Sequence, residues 1–138
     1  MAGSRAAVKK IAWREFSLVV RMEEALQFSG SGVGQCCTCG DWRHYKSADA
    51  GHFIPGRGDA ILFERTNVHF QCPQCTRFEQ GKWVEYEEFM LKKYGREEVD
   101  RLKALKKSIR KYSEPELSDM VKQFRKMRKI YEKEIGET

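Results

Sequence analysis

The chain has 138 residues, of which 26 are Lys or Arg and 20 are Asp or Glu, so its formal net charge is +6. This length fits one domain with a modest hydrophobic core. A hydrophobic content of 41% with 33% charged residues excludes a wholly disordered or fibrous chain. No apolar run approaches the roughly 18–20 residues of a membrane span. Residues 1–10 are basic and lack the apolar segment of a secretory signal, so we expect a cytoplasmic protein with no membrane partner.

The N-terminal part is predicted to form one amphipathic helix over residues 9–28. Apolar side chains recur at helical spacing from Ile11 to Leu26 and define one stripe. Ser29 and the glycines after it, up to Gly34, break this pattern. No strand precedes these glycines and no Lys-Ser/Thr pair follows them, so they do not match a phosphate-binding loop. We expect a flexible lead into the centre of the chain.

The central part, residues 36–82, is predicted to consist of short strands and turns. The apolar runs 52–54 and 61–63 have the size of strands. The segment 56–60 between them contains two glycines and is predicted to connect them as a hairpin or a wider loop. A helix is expected to begin at or just after Cys75.

Residues 83–135 are predicted to be helical. Helix-spaced apolar residues occupy 83–94, and Gly95 is expected to end that helix. A second apolar stripe covers 99–112.

Ser113 and Glu116 have the spacing of a capping box, which opens a further helix. Two helices joined at Ser113 are therefore predicted to form an antiparallel hairpin. Residues 101–138 carry twelve basic and six acidic side chains, so the positive excess lies in this part of the chain. Such a charge indicates a polyanion partner, with a solvated helix surface as the alternative interpretation.

The cysteines predict a metal site. An odd number of cysteines without an export signal argues against a disulfide framework. Four of the five form two pairs, Cys36-x-x-Cys39 and Cys72-x-x-Cys75, which is the spacing of a four-thiolate structural zinc site. A redox CxxC motif needs only one pair. The fifth cysteine, Cys37, belongs to neither pair. It could replace Cys36 as a zinc ligand, but Cys36 is favoured because its spacing to Cys39 equals the spacing of the second pair.

Three polar residues between the cysteine pairs predict phosphodiester chemistry. Hydrolysis needs a base that deprotonates water and a cation beside the scissile phosphate. His52 can supply the base because a neutral imidazole titrates near working pH. Asp49 can supply a hard oxygen for Mg²⁺ or Mn²⁺. Asn67 can fix the loop between the strands, since its amide both donates and accepts hydrogen bonds.

At these residues the chain resembles the phage NinG/Rap recombination endonucleases, within the larger His-Asn-His (HNH, ββα-metal) nuclease group. The resemblance spans roughly residues 13–105. The matching stretches are Glu15-Phe-Ser17, Cys36-Cys37-Thr38-Cys39-Gly40, Asp49-Ala-Gly-His52-Phe53 and Asn67-Val-His69-Phe-Gln-Cys72-Pro-Gln-Cys75.

The resemblance implies an α+β fold in a single domain over residues 1–138. A small zinc-stapled, HNH-like nuclease core at 36–82 would be flanked by the N-terminal helix 9–28 and the basic C-terminal helices 83–135. It also implies a structure-selective endodeoxyribonuclease that acts on branched recombination intermediates such as Holliday junctions, in the bacterial host cytoplasm if the chain is phage-encoded.

The site residues follow from the same resemblance. His52 falls on the general base, Asn67 on the central asparagine, and Asp49 on an acidic residue ahead of the Gly-His pair. The residue after the last cysteine, here Thr76, is expected to help Asp49 hold the catalytic Mg²⁺ or Mn²⁺, while the four paired cysteines hold Zn²⁺.

Two departures from the wider group weaken the predicted cation site. The residue directly before the catalytic histidine is Gly51 rather than an acid or histidine, and Thr76 is a neutral ligand. His69 or Glu79 could compensate, although His69 is as well explained by a structural role. These departures motivate the alternative of a zinc-stapled DNA-binding recombination protein with weak or no nuclease activity.

Basic residues are predicted to contact the DNA backbone, and the C-terminal helices could also form a homodimer, since a symmetric junction suits a symmetric dimer. The predicted contacts are Arg57 and Arg65 near the site, and Lys103, Lys106, Lys107, Arg110, Lys122, Arg125 and Lys126 on the helices.

Overall fold

One long N-terminal helix supports the rest of the fold. The computed structural model describes residues 2–137, and helix α1 spans Ala2–Ser29, so it begins earlier than the predicted 9–28. Its buried residues recur at helical spacing and include Ala12, Phe16, Val19, Val20, Met22 and Ala25. Through them α1 packs against both small sheets and against the last helix. Neither α1 nor any other helix of the described residues is long and apolar enough to cross a membrane.

The first sheet is a two-stranded hairpin. Strand β1 (Val33–Gln35) pairs antiparallel with β2 (Trp42–His44). The prediction of a flexible segment up to Gly34 is therefore wrong at the end of that segment, because Gly34 lies within β1. A Cβ atom at Gly34 would lie 2.4 Å from the ring of Phe70. The glycine therefore allows β1 to pack closely against the side chain of Phe70, and it does not act as a flexible joint.

The second sheet carries the predicted site. Strand β3 (Asp49–His52) pairs antiparallel with β4 (Val68–Gln71), with Asp49 opposite Gln71 and His52 opposite Val68. A connection of fifteen residues, 53–67, joins the two strands. The predicted strand at 52–54 is thus displaced, since only His52 belongs to one.

The second predicted strand, at 61–63, is wrong. Residues Asp59–Leu62 form a short helix, α2. The buried carboxylate of Asp59 forms salt bridges with Arg5 and Lys9 and accepts a hydrogen bond from the backbone N–H of Tyr112. Contacts distant in sequence hold the segment as a helical turn, so tertiary structure overrides the local apolar pattern.

The chain after β4 forms a single π-helical turn and two packed helices. The π-helical turn spans Gln74–Phe78, where the sequence predicts a helix that begins at or just after Cys75. The α-helix α3 begins at Trp83 and ends at Tyr94 before Gly95, as predicted. Helix α4 covers Arg96–Leu105, shorter than the predicted stripe to residue 112. Helices α3 and α4 enclose one core cluster, formed by Phe53, Ile54, Ile61, Tyr86, Met90, Val99 and Leu102.

The last helix, α5, packs beside α1 and not beside α4. It spans Glu114–Ile135, and its predicted capping box is present. The ring centroids of Phe16 and Phe124 lie 5.1 Å apart, and farther along, Tyr131 donates a hydrogen bond of 2.7 Å to Glu23. The later residue of α1 contacts the later residue of α5, so the two helices run parallel. The predicted antiparallel hairpin at Ser113 is wrong, because the apolar face of α5 is covered by α1.

The mixed helical and sheet composition confirms the predicted α+β class. The close approach at Gly34 gives a direct test of packing. Gly34→Ala should lower the free energy of unfolding by about 1–3 kcal/mol, since its Cβ would overlap the Phe70 ring. Chemical denaturation measures the change.

The matched control is Gly58→Ala. A Cβ atom there has open space around it, and its backbone φ is negative, so the change should be small. Equal losses in both variants would contradict the packing explanation.

Candidate functional site

A cleft of about 490 Å³ lies along β3 and brings three of the predicted site residues together. Asp49 and His52 come from β3, and Thr76 comes from the turn after β4. Helix α1 forms another part of the wall. The remaining lining residues are Trp13, Ser17, Ala50, Gly51, Pro55, Gln71, Arg77, Gln80 and Gly81.

His52 is held in one orientation with one ring nitrogen free. Its Nε2 lies 3.2 Å from the carbonyl oxygen of Leu62, and since a carbonyl only accepts, Nε2 carries the proton. The ring stacks on Trp13, with centroids 4.8 Å apart and planes 26° apart. Nδ1 has no hydrogen-bond partner among the described residues and is not enclosed. The structure therefore leaves a lone pair available on Nδ1.

The environment keeps His52 neutral. Burial lowers the pKa of His52 below its ordinary 6.5, and the positive charge of Arg57 lowers it further, while the hydrogen bond to Leu62 opposes them. A neutral imidazole with a free Nδ1 is the form that can accept a proton at neutral pH.

Asn67 holds both ends of the connection between β3 and β4. It is fully buried; its Oδ1 accepts a hydrogen bond of 2.8 Å from the N–H of Ile54, and its Nδ2 donates one of 3.0 Å to the carbonyl of Ile54. The carbonyl of Asn67 also accepts from the N–H of Phe53 at 2.9 Å. These bonds fix the backbone that follows His52, and Asn67 does not line the cleft.

Asp49 is the one acidic side chain among the described residues that line the cleft, and it has two partners. Its Oδ2 accepts a hydrogen bond from the hydroxyl of Thr76. Its Oδ1 forms a salt bridge of 2.9 Å with Arg77, whose side chain is 65% exposed. A single carboxylate beside a hydroxyl offers hard oxygen ligands of the kind that Mg²⁺ and Mn²⁺ prefer.

His69 lies on β4 but does not line the cleft. It is buried, with Nδ1 at 2.7 Å from Glu24 and Nε2 at 2.9 Å from the carbonyl of Thr66. Burial tends to raise the pKa of Glu24, but the bonds from His69 and Phe70 and the charge of Arg65 lower it overall. His69 is thus part of a network that ties α1 to β4. Glu79 is exposed and does not line the cleft, so neither residue compensates for Thr76.

The predicted DNA-contacting residues differ in their freedom to bind a phosphate. Arg65 forms salt bridges with Glu23 and Glu24 and donates to the carbonyl of Val68, so a DNA contact would require it to leave them. Arg57 is exposed and lies close enough to His52 for its charge to affect that ring.

The basic residues that were predicted on the C-terminal helices fall into two groups, and three of them, Lys106, Lys107 and Arg110, lie between α4 and α5 rather than on a helix. Three have acidic partners: Lys103 with Glu87, Arg110 with Glu116 and Arg125 with Glu15. The other four are exposed and form no salt bridge among the described residues; they are Lys106, Lys107, Lys122 and Lys126.

Among the cleft residues that sequence reasoning missed, three bear on the site: Arg77, Gln71 and Trp13. Arg77 directly follows Thr76, and this adjacency is the one feature of the sequence that could have identified it as a cleft residue. Gln71 precedes Cys72, and its position opposite Asp49 depends on the register of β3 and β4. Trp13 reaches His52 from a helix 39 positions earlier, and no local pattern shows that contact.

Four cysteines form a cluster next to this cleft, as their spacing predicts. The sulfur atoms of Cys36, Cys39, Cys72 and Cys75 all lie within 4.8 Å of one another. The distances are 3.9 Å from Cys36 to Cys75 and 3.6 Å from Cys39 to Cys72. A tetrahedral zinc ion with Zn–S bonds of about 2.3 Å separates its sulfur ligands by about 3.8 Å. The four thiols fit a structural zinc ion, and Cys37 is outside the cluster.

The thiols also have the electrostatics of a cation site. Although burial opposes ionisation, hydrogen bonds from Thr38 and neighbouring backbone N–H groups lower the pKa of Cys36 to about 6. Burial raises the pKa of Cys75, and the adjacent cysteines raise it further. Four clustered thiolates repel one another, and a divalent cation removes that repulsion. Cys37 is different, because burial and the charge of Cys36 raise its pKa well above the ordinary value.

Removal of one clustered cysteine should therefore remove the metal and the fold around it. We expect Cys72→Ser to lose the one bound zinc per chain and to unfold at lower temperature, as measured by elemental analysis and circular dichroism. Cys37→Ala is the matched control and should keep its zinc. Normal zinc content in the Cys72 variant would contradict the assignment.

The comparisons with known proteins identify the family of this chain. The family model described as "NinG: Bacteriophage Lambda NinG protein" matches residues 6–134. The search of curated proteins and the search of solved structures each gave no match. Because the family model covers nearly the whole chain, including the residues of the cysteine cluster and the cleft, the chain belongs to the NinG family.

Proposed function

We propose that this protein is a metal-dependent endonuclease that cleaves branched DNA during phage recombination, with four-way junctions as the preferred class. The observation that carries the proposal is the free Nδ1 of a neutral His52 in a cleft that also presents Asp49 and Thr76. Membership of the NinG family supports DNA recombination as the context.

His52 acts as the general base. Its Nε2 proton is fixed by the carbonyl of Leu62, so Nδ1 accepts the proton of a water molecule that attacks the phosphorus. Trp13 limits rotation of the ring by stacking on it. Asn67 fixes the backbone at Ile54, two residues farther along, and so keeps His52 at the edge of the cleft.

Asp49 and Thr76 are the residues that would hold a hard divalent cation. When bound, that cation stabilises the charge that develops on the phosphate and on the leaving 3′ oxygen. The cysteine cluster uses all four of its thiols for zinc, so it serves the fold and is separate from this chemistry.

Positive charge around the cleft suits the DNA backbone. Arg77 lines the cleft, and Arg57 is close to His52. A Cβ atom on Gly56, next to Arg57, would lie 4.0 Å from the side chain of Lys106, which places the cation directly after α4 at the same edge. Lys122 and Lys126 on α5 add further unpaired charge. Their phosphate contacts would make affinity steeply dependent on salt.

A specific observation favours a second candidate, a DNA-binding recombination protein without cleavage activity. Asp49 already has a cationic partner in Arg77, Gly51 offers no side chain, and Thr76 is neutral. A site with a single carboxylate binds a divalent cation weakly.

Replacement of the base separates the two candidates. His52→Ala should reduce nicking of a four-way junction in Mg²⁺ or Mn²⁺ by at least about 100-fold, the contribution typical of a general base. Zinc content and junction affinity should stay unchanged, because His52 contacts neither cysteines nor the basic helices.

His44→Ala is the matched control, since His44 lies on β2 and contacts Glu137, far from the cleft residues. It should cleave at the wild-type rate. Undiminished cleavage by His52→Ala would exclude the mechanism, and tight binding without cleavage by the wild-type chain would favour the second candidate.

Cleavage should also depend on pH through His52. The base is active when unprotonated, so the single-turnover rate should rise with pH and level off, with a midpoint below 6.5. Replacement of Arg57 by Gln removes a positive charge and should move the midpoint upward. A rate that falls with rising pH, over about pH 5 to 8, would contradict this role.

A further inference from the structure

Gln71 has a buried oxygen atom without a partner. The side chain is fully buried, and its Nε2 donates hydrogen bonds of 3.0 Å to the hydroxyl of Thr38 and 2.9 Å to the carbonyl of Gly81. Its Oε1 is the one buried side-chain nitrogen or oxygen atom among the described residues that has no hydrogen-bond partner. Native proteins satisfy almost all such atoms, so an exception calls for an explanation, such as a bound ion.

The orientation of this amide is fixed. The carbonyl of Gly81 can only accept, so the NH₂ group must face it, and Oε1 must point the other way. A rotated amide would place two acceptors against each other and leave a buried donor unpaired.

Oε1 occupies the space that a side chain at position 51 would fill. A Cβ atom on Gly51 would lie 1.9 Å from Oε1 of Gln71. Gly51 and Gln71 both line the cleft. The glycine directly before His52 is therefore required by the amide oxygen beside it, and that oxygen stands where the residue before the base would project.

Gln71 and Asp49 lie on the same face of the second sheet. They are directly opposite in the register of β3 and β4, and side chains in that relation have Cβ atoms about 4.5–5.5 Å apart. The hydroxyl of Thr76 donates to Asp49 from the turn above them. Three oxygen-bearing side chains thus line one cleft, and one of their oxygen atoms, Oε1 of Gln71, has no partner among the described residues.

We propose that Gln71 Oε1, the carboxylate of Asp49 and the hydroxyl of Thr76 together bind a hard divalent cation such as Mg²⁺ or Mn²⁺. The proposal rests on the proposed function and deepens it by assigning a neutral amide ligand in place of a side chain at Gly51. One carboxylate and two neutral oxygens suit a cation that keeps several water molecules. Water and substrate phosphate would complete its coordination.

Arg77 competes with this cation. Its guanidinium forms a salt bridge with Oδ1 of Asp49, and the side chain is 65% exposed, so it can move away without disturbing the core. Loss of Arg77 should therefore strengthen cation binding, because it removes a positive charge from the ligand carboxylate.

The test is Mn²⁺ binding to the zinc-loaded full chain without DNA, followed by electron paramagnetic resonance of the free ion. Gln71→Leu and Gly51→Ala should each weaken binding by at least about fivefold, since one removes the oxygen and the other displaces it. Arg77→Gln should tighten binding severalfold. Matched controls are Gln123→Leu on the exposed face of α5 and Gly58→Ala, which should bind as the wild-type chain does.

A second measurement on the unaltered chain guards against variants that fail to fold. Saturation with Mg²⁺ should shift the side-chain ¹³Cδ resonance of Gln71 and leave that of Gln123 in place. Wild-type Mn²⁺ affinity in a folded Gln71→Leu chain, or an unmoved Gln71 resonance at Mg²⁺ saturation, would overturn the assignment.

The outcomes also separate this assignment from the proposed function. If Gln71→Leu binds Mn²⁺ normally while the wild-type chain still cleaves junctions, the ligand assignment fails and the nuclease proposal stands. If the wild-type chain neither binds Mn²⁺ nor cleaves, both fail.

Discussion

The cluster of four cysteines is the constraint on which the rest of the structure depends. It joins the hairpin of β1 and β2 to the end of β4, segments separated by more than thirty residues. Two sheets of two strands each are barely stable alone, so a metal ion held by the cluster would supply order that packing cannot. Cys72 follows Gln71 directly and Cys75 precedes Thr76, so the same cluster sets the positions of two cleft residues. Thr38 connects the cluster to the cleft a second time, because it contacts Cys36 and accepts from Gln71.

The packing of α1, α3 and α5 supports the strand that forms the cleft. Helix α5 packs parallel to α1 and holds it against the second sheet, and α1 in turn presses Trp13 on His52. On the opposite face, the buried hydroxyl of Tyr86 donates to the carbonyl of Gly51 and anchors α3 to β3. The strand that bears Asp49 and His52 is therefore supported on both faces. A rigid support of this kind suits the proposed hydrolysis of a large polymer.

Local sequence patterns predicted the parts of the molecule that depend on local chemistry. The cysteine spacing and the capping box at Ser113 are short motifs with a direct physical cause, and both are present. The helix at residues 59–62 was not predictable, because its stability comes from Arg5, Lys9 and the backbone of Tyr112, which are distant in sequence. The partner of α5 was missed for the same reason, since an apolar stripe does not indicate which surface covers it. Of the candidate site, His52, Asp49, Asn67 and Thr76 could be named from the sequence. Gln71 could not, because its proposed role follows from strand register and from one buried atom without a partner among the described residues.

The central claim is that zinc holds the fold while a different cation supports cleavage at His52. The most direct measurement is the rate at which the zinc-loaded chain nicks a four-way junction as Mg²⁺ is titrated, with bound zinc quantified in the same samples. Cleavage should be absent without Mg²⁺, should rise to saturation as Mg²⁺ is added, and should leave one zinc per chain throughout. Cleavage that persists in the zinc-loaded chain without Mg²⁺, or that never appears at any concentration of Mg²⁺ or Mn²⁺, would contradict the account.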